Sequence, residues 1–443
     1  MTGHPDAEVD HYLIATPESR KLQKEASRYL PGGSSRGAAY FEPYPFFVDH
    51  AEGHYVYDVD GNRYLDFMIN ATTYIAGHAN PMVVKAVQDQ AARGLSYSAP
   101  TQSQIRLAKI LCDRVPSVEI VRFTNSGTEG TLNAIQLSRA ATGRHKIAKF
   151  EGGYHGAHEY VSVSVYTSTD HLDPDGPKAI SEMLGQPPKV LEDVVVMAYN
   201  SLESAESLIR EHAEDLACVI MEPVLSNIGY VAGNPEFLQG IREITQELGI
   251  ILIYDEVQSF RLSIGGAQQY FGVTPDITTF GKIIGGGMPV GAWGGRSDLM
   301  ALYNPDNGPV LSHTGTFNAN PMTMVAGEAT LMQLTPELYE RLNRLGEMLR
   351  EKLRAVFAEL DVPAQVTGVG SLFGIHFSSE EITDYRSMLR GDQGMKKRLF
   401  RELLNQGVLM QTRAAGALNI HTTSSEIDSL VDAIRTAVQR ITS

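Results

Sequence analysis

The sequence predicts an α/β protein with a mostly parallel sheet in a large domain, followed by a smaller α+β domain. Three observations carry that prediction. Between about residues 100 and 325, short and nearly all-apolar runs alternate with helical periodicity, as expected for strands covered by helices on both faces. After Pro321 the pattern changes to long helices and short strands. At 443 residues, the chain also exceeds what one compact core usually holds.

The elements follow in order. Residues 1–15 are expected to be disordered, and Met1 to Asp10 is polar and lacks the apolar core of an export signal. Residues 16–75 form an N-terminal segment expected to join the small domain. A helix-like stretch from Pro17 to Leu30 stops at Pro31-Gly32-Gly33. Phe46 to Phe67 then alternates around Asp60-Gly61, which predicts a hairpin of Tyr55–Asp58 against Arg63–Asp66. Asn80-Pro81 opens a helix by cap and first-turn proline, and Gly94 closes it. The large domain is placed over 76–325, with strands at Ile120–Thr124, Lys146–Phe150, Val194–Tyr199, Cys218–Met221 and Ile250–Tyr254, and a helix at Pro235–Glu247. The C-terminal domain, 326–443, reads as a long helix Pro336–Leu360, a strand Val366–Phe377 and a helix Met395–Gln406. Short strands broken at Gly416 follow over Val408–His421, then a last helix from Thr423 with Glu426 in a capping box. There is no internal repeat, low-complexity tract or long linker.

Composition narrows the partners. Against 52 acidic side chains there are 37 Lys and Arg, a formal net charge of −15. That balance argues against nucleic acid or an anionic membrane as the main partner, and is neutral about a small anionic substrate. No window approaches the ~20 apolar residues of a membrane span. The two cysteines, Cys112 and Cys218, read as reduced core residues, so the cytoplasm is the expected compartment. No motif calls for a metal.

Chemistry concentrates in a few short strings. Lys282 lies between a β-rich run and Gly285-Gly286-Gly287, and Asp255-Glu256-Val257-Gln258 closes an apolar run before it. A lysine amine can form a Schiff base with a carbonyl cofactor, and glycines let backbone crowd a ligand. An aspartate ending a buried strand can face a protonated pyridine nitrogen, the partner that pyridoxal phosphate (PLP) requires. Asn125-Ser126-Gly127-Thr128-Glu129 starts a helix after a strand, where free N–H groups and the helix dipole favour a phosphate. Gly153-Tyr154-His155-Gly156 suits an aromatic laid flat against a ring. Each string alone also fits a surface lysine, an ordinary helix cap or a glycine-rich turn.

Taken in order, Asn125-Ser126-Gly127-Thr128-Glu129, Gly153-Tyr154-His155-Gly156, Glu222-Pro223-Val224, Asp255-Glu256-Val257, Gly281-Lys282, Gly315-Thr316 and Asn320-Pro321 resemble the class III, PLP-dependent aminotransferases over about residues 30 to 440. Gly281 to Ala292 most resembles the branch of glutamate-1-semialdehyde aminomutases and β-amino-acid aminotransferases. The resemblance implies PLP fold type I, with Lys282 holding the cofactor as a Schiff base and Asp255 keeping its ring nitrogen protonated. It further implies phosphate binding by Ser126, Gly127 and Thr128, a ring sandwich of Tyr154 and Val257 with His155 beside it, and supporting roles for Glu222 and Asn227. Thr316 would come from the neighbouring subunit, which implies a homodimer with shared active sites.

Substrate choice rests on two loop arginines. Arg36 and Arg413 stand at positions that resemble carboxylate-binding arginines of the β-amino-acid aminotransferases, and a planar guanidinium grips a carboxylate with two hydrogen bonds. The bland reading is a pair of solvated arginines. The aminomutases differ here: they carry an Ala-Pro-Ser stretch where this chain has Gln411-Thr412-Arg413, and a tryptophan where it has Asn70-Ala71-Thr72-Thr73-Tyr74. These departures favour transfer from a carboxylate-bearing amino acid to a keto acid such as 2-oxoglutarate or pyruvate. An aminomutase-like isomerase and an amino-acid racemase stay open. A non-catalytic scaffold would normally lose Lys282 or Asp255.

Overall fold

Seven strands form the central sheet: β1 (Ile120–Thr124), β2 (Lys146–Phe150), β3 (Val194–Met197), β4 (Leu216–Met221), β5 (Ile251–Asp255), β6 (Ile277–Gly281) and β7 (Gly291–Gly295), in the order β1-β7-β6-β5-β4-β2-β3. The coordinates are a computed structural model that describes residues 7–308 and 311–442. Only β7 runs against its neighbours, β6 and β1; the other pairings are parallel. All six residues of β4 are buried because both faces are covered. Cys218 and Ile220 pack towards the helix Gly127–Thr142, and Val219 and Met221 towards the helices Leu202–Glu211 and Pro235–Glu247.

β7 was not anticipated. Gly-Ala-Trp-Gly-Gly lacks the β-branched run that marks a strand, but its glycines have a steric purpose. A Cβ on Gly291 would lie 1.8 Å from the Ser126 carbonyl oxygen, so glycine lets the turn before the helix Gly127–Thr142 settle onto the sheet.

The hairpin formed as predicted, with Tyr55–Asp58 antiparallel to Arg63–Asp66, and the latter strand also pairs in parallel with Val408–Leu409. N-terminal and C-terminal segments therefore share one sheet. A second, three-stranded sheet comprises Gln365–Thr367, Leu372–His376 and Ala415–Ala417. The single strand expected over Val366–Phe377 is thus two, separated by a turn with left-handed Gly368 and Gly370. The break expected at Gly416 lies earlier, where Ala414 is left-handed, and Gly416 itself is paired in a strand.

The expectation of disorder over 1–15 is corrected from residue 7 onward, and residues 1–6 lie outside the described residues. Ala7–Ala15 is a helix packed on the helix Gln393–Asn405. Glu8 pairs with Arg398 at 3.1 Å, and the buried Tyr12 meets Phe41, which in turn meets Phe400. These contacts lie in the tertiary structure, beyond the reach of local polarity. The next helix ends at Ala26, short of the expected Leu30. No helix among the described residues is long and apolar enough to cross a membrane.

Candidate active site

The carboxyl ends of the parallel strands converge, and there the predicted residues gather: Asp255 ends β5, Lys282 follows β6, Glu222 follows β4, and Tyr154 and His155 come soon after β2. In open α/β sheets this edge is where ligands bind. The start of the helix Gly127–Thr142 joins them from β1.

Asp255 is the most constrained of these residues. Its Oδ1 accepts from the Val257 N–H and from the Thr279 hydroxyl, each at 3.1 Å, and its Oδ2 lies 2.9 Å from His155 Nδ1. Thr279 faces Asp255 because the two are register partners in adjacent parallel strands. His155 is fully enclosed. Burial lowers its pKa despite the opposing pull of Asp255, and its Nε2 is buried without a partner. Thr279 was missed in the sequence; pairing β5 with β6 would have revealed it.

Lys282 occupies a left-handed backbone conformation, φ 51°, which a β-carbon disfavours. That strain sits on the residue with the proposed chemistry. Its amine has no hydrogen-bond partner among the described residues. The side chain opens partly to the cleft, but the surrounding protein desolvates it and lowers its pKa. Asp255 and Glu222 oppose that shift, while Arg413 and Arg36 add to it. Five of the candidate residues thus share one electrostatic neighbourhood.

The helix start is shaped as a cradle. Ser126 caps it, its hydroxyl accepting from the Glu129 N–H at 3.2 Å, and the first N–H groups of a helix have no intrahelical acceptor. A Cβ on Gly127 would come within 2.9 Å of Val257 Cγ2, and one on Gly281 within 3.2 Å of Val257 Cγ1. Val257 therefore lies between the helix start and the strand that leads to Lys282. Thr128 accepts from the Ala157 N–H at 3.2 Å, closing the Gly153–Gly156 turn over the helix.

Glu222 is buried and joins two loops, accepting from the Tyr154 N–H at 3.1 Å and the Ser226 N–H at 3.3 Å. Burial, reinforced by the charge of Asp255, pushes its pKa up to about 7. Tyr154 lies at the rim, 41% exposed. Asn227 points away from Asp255's network: it donates to the Val165 carbonyl and accepts from Arg413. Arg36 is exposed and donates to Asn70, and Arg413 is partly buried over the Tyr230 ring.

Thr316 is not brought to this cluster within one chain. It is exposed on a loop that Asn318 ties to Asn125, next to Ser126. A cavity of 530 Å³ lined by Arg122, Phe123, His313, Gly315 and Asn318 adjoins that loop, and none of the predicted site residues lines it.

The donors fit a phosphorylated pyridine aldehyde. An unpartnered lysine amine, a carboxylate ending a strand and a glycine-opened helix start converge on one strand edge. Comparison with known proteins agrees. Residues 37–438 match the family described as aminotransferase class-III. The chain is 42% identical to the glutamate-1-semialdehyde 2,1-aminomutase of Methanocaldococcus jannaschii over 89% of this chain and 91% of that one. Among solved structures it resembles an omega-transaminase from Sphaerobacter thermophilus (TM-score 0.92, 42% identity, 95% and 97% of the two chains). It also resembles a β-phenylalanine aminotransferase from Variovorax paradoxus (TM-score 0.87, 36% identity, 98% and 97%).

Proposed function

This chain belongs to the class III, PLP-dependent aminotransferases of fold type I, and from that premise we propose that it moves an amino group from a carboxylate-bearing amino acid, with β-amino acids in its range, to a keto acid such as 2-oxoglutarate or pyruvate. The observation that carries this reading is the pair Arg36 and Arg413, which reach the neighbourhood of Lys282 from separate loops.

PLP supplies an electron sink for the charge left when a proton leaves the substrate carbon. Ser126, Gly127 and Thr128 would hold its phosphate, with Thr316 of the partner subunit completing the cradle in a cytoplasmic homodimer. Val257 and Tyr154 would flank the ring, with His155 bearing on it through Asp255, and Glu222 would fix the Tyr154 and Ser226 loops around it. Asp255 would hold the proton on the ring nitrogen; Thr279 and the Val257 N–H orient its carboxylate for that task. Lys282 would anchor the cofactor, and its amine, when free, would serve as the base that takes a proton from the substrate carbon and as the acid that gives it back. A lowered amine pKa leaves more free base at neutral pH, which suits a proton carrier. Arg36 and Arg413 would orient the substrate carboxylates.

A second reading, internal amine migration, draws support from the sequence relatives named as aminomutases. The two differ in one requirement. Assaying the purified enzyme against α- and β-amino acids, with and without each keto acid, should show turnover that depends strictly on the acceptor. Conversion of glutamate 1-semialdehyde without any acceptor would instead establish the mutase.

A further inference from the structure

Arg36 and Arg413 differ from most arginines of this molecule in what holds them. Arg386 ends on Glu151, Arg242 on Asp276, and Arg210 on Glu206 and Glu247, all carboxylates that cancel the charge. Arg36 and Arg413 end on carboxamides. Arg36 Nη1 donates to Asn70 Oδ1 at 2.7 Å, and Arg413 Nη1 to Asn227 Oδ1 at 3.3 Å. Neither forms an ion pair among the described residues. Arg413 also keeps a buried Nε that no acceptor meets.

The two asparagines are themselves held. Asn70 lies in a run of four left-handed residues, Ile69 to Thr72, with φ of 40°, 50°, 52° and 74°. Such a turn is unfavourable for L-residues, least so for asparagine, so its surroundings must enforce it. Asp66 accepts the Ile69 N–H at 2.8 Å, Gln258 accepts the Thr72 hydroxyl, and Arg261 donates to the Thr72 carbonyl at 3.1 Å. Gln258 and Arg261 belong to the segment that follows Asp255, so Asn70 is tied to the strand edge that carries the chemistry. Asn227 follows Ser226, whose N–H donates to Glu222, and it also donates its own amide to the Val165 carbonyl at 3.1 Å.

A carbonyl acceptor fixes a guanidinium's direction with one hydrogen bond and removes none of its charge. A carboxylate at the same place would fix it equally well and neutralise it. We propose that Asn70 and Asn227 are matched positioning residues, each tethering a substrate-facing arginine through a neutral carbonyl so that the cation is fixed yet uncompensated and takes a carboxylate of the substrate. This rests on the reading of Arg36 and Arg413 as carboxylate clamps and adds what makes them effective.

The test compares alanine with aspartate at each position in the holoenzyme. Both half-reactions are followed by cofactor absorbance, using a carboxylate-bearing amino acid, a keto acid and an amine without a carboxylate. Asn70→Ala should raise KM for the carboxylate that Arg36 holds about three- to tenfold, with kcat little changed. Asn70→Asp should raise it further, beyond about tenfold, although aspartate keeps an acceptor and tolerates the left-handed backbone. The carboxylate-free amine should be indifferent to both. Asn227→Ala and Asn227→Asp should repeat the order for the carboxylate held by Arg413, and they decide the matter if Asn70→Asp does not fold. Aspartate working as well as asparagine would overturn the proposal, because the tether would then be a peg with no electrostatic requirement. Equal losses on the carboxylate-free amine would overturn it as well, by revealing a general scaffold role. If Arg36→Ala and Arg413→Ala leave carboxylate selectivity intact, the clamp reading itself has failed. Those variants show that separately, since they keep both asparagines.

Discussion

The strand edge and the loops that face it are built on different terms. At the strand edge Asp255, Glu222 and His155 are almost wholly buried, and Asp255 alone engages Val257, Thr279 and His155. On the loop side Arg36 and Thr316 are exposed, and Arg36 has one side-chain partner. Parts common to a whole class of reactions sit where strands fix them to fractions of an ångström, and parts that choose a substrate sit where loops can change without disturbing the sheet. Damage at the strand edge should therefore lower kcat for every substrate. Damage in the loops should be selective.

The largest test of that contrast is Lys282→Ala. It removes the cofactor anchor and the proton carrier together, and loss of a positioned acid–base group alone costs about 10²–10⁴-fold. Turnover should fall by at least about a thousandfold for all substrates while the subunits stay folded by circular dichroism. A variant that retains a tenth of wild-type turnover without added amine would remove Lys282 from the mechanism. Asp255→Asn comes next. It keeps the shape and an acceptor for Thr279 but loses the charge that holds a proton on the ring nitrogen, and should cost about 10²–10³-fold in the proton-transfer step. Stopped-flow absorbance of each half-reaction measures it. Near-normal rates would mean that the strand-end carboxylate is structural.

The same contrast explains what could be read in the sequence. The parallel strands, the helix start at Ser126 and the lysine after β6 were legible because each is set by local chemistry: apolar runs, a capping residue, glycines where backbone crowds. β7 was not, since Gly291 is needed only because Ser126 comes to lie against it. The partnership of Thr279 with Asp255 depends on strand register, and that of Asn70 with Arg36 spans 34 residues between two loops. The helix at Ala7–Ala15 depends on a surface supplied by residues near 400. What stayed hidden is what two distant segments create together.

The loop arginines give the selective effect that sharpens the comparison. A charge-assisted arginine–carboxylate contact is worth about 1.5–3 kcal/mol, roughly ten- to a hundredfold in kcat/KM if made in the transition state. Arg36→Ala and Arg413→Ala should each cost that much on one carboxylate substrate and spare an amine with none. If they divide the work, one variant loses the amino donor and the other the keto acid, which the separate half-reactions resolve. Small equal losses on all substrates would mean the arginines are only solvated.

The effect with the least bearing on turnover is one of pH on stability, and it isolates the strand edge from the loops. Burial raises the carboxyl of Glu222 from about the usual 4.5 to about 7 in the folded protein. Between those values the folded chain holds a proton that the unfolded chain releases, so the stability this group contributes is complete below about pH 4.5 and is lost as pH rises through about 7. Glu256, also raised to about 7 by burial, acts in the same direction, while the buried His158 and His376, lowered to about 4 and about 3, act the other way up to the ordinary histidine range, so the wild-type slope is a sum of opposing parts. Glu222→Gln should remove this group's part, up to about 3 kcal/mol between pH 4.5 and 7.5, and leave the parts of Glu256 and the histidines in place. The glutamine amide would face one of the two backbone N–H groups, from Tyr154 and Ser226, that the carboxylate accepts. The variant therefore starts less stable, and the informative quantity is the slope with pH. Urea unfolding of the cofactor-free protein at several pH values measures it directly. Parallel wild-type and variant curves would show that Glu222 titrates alike in both states, and that its burial leaves no mark on the pH dependence of folding.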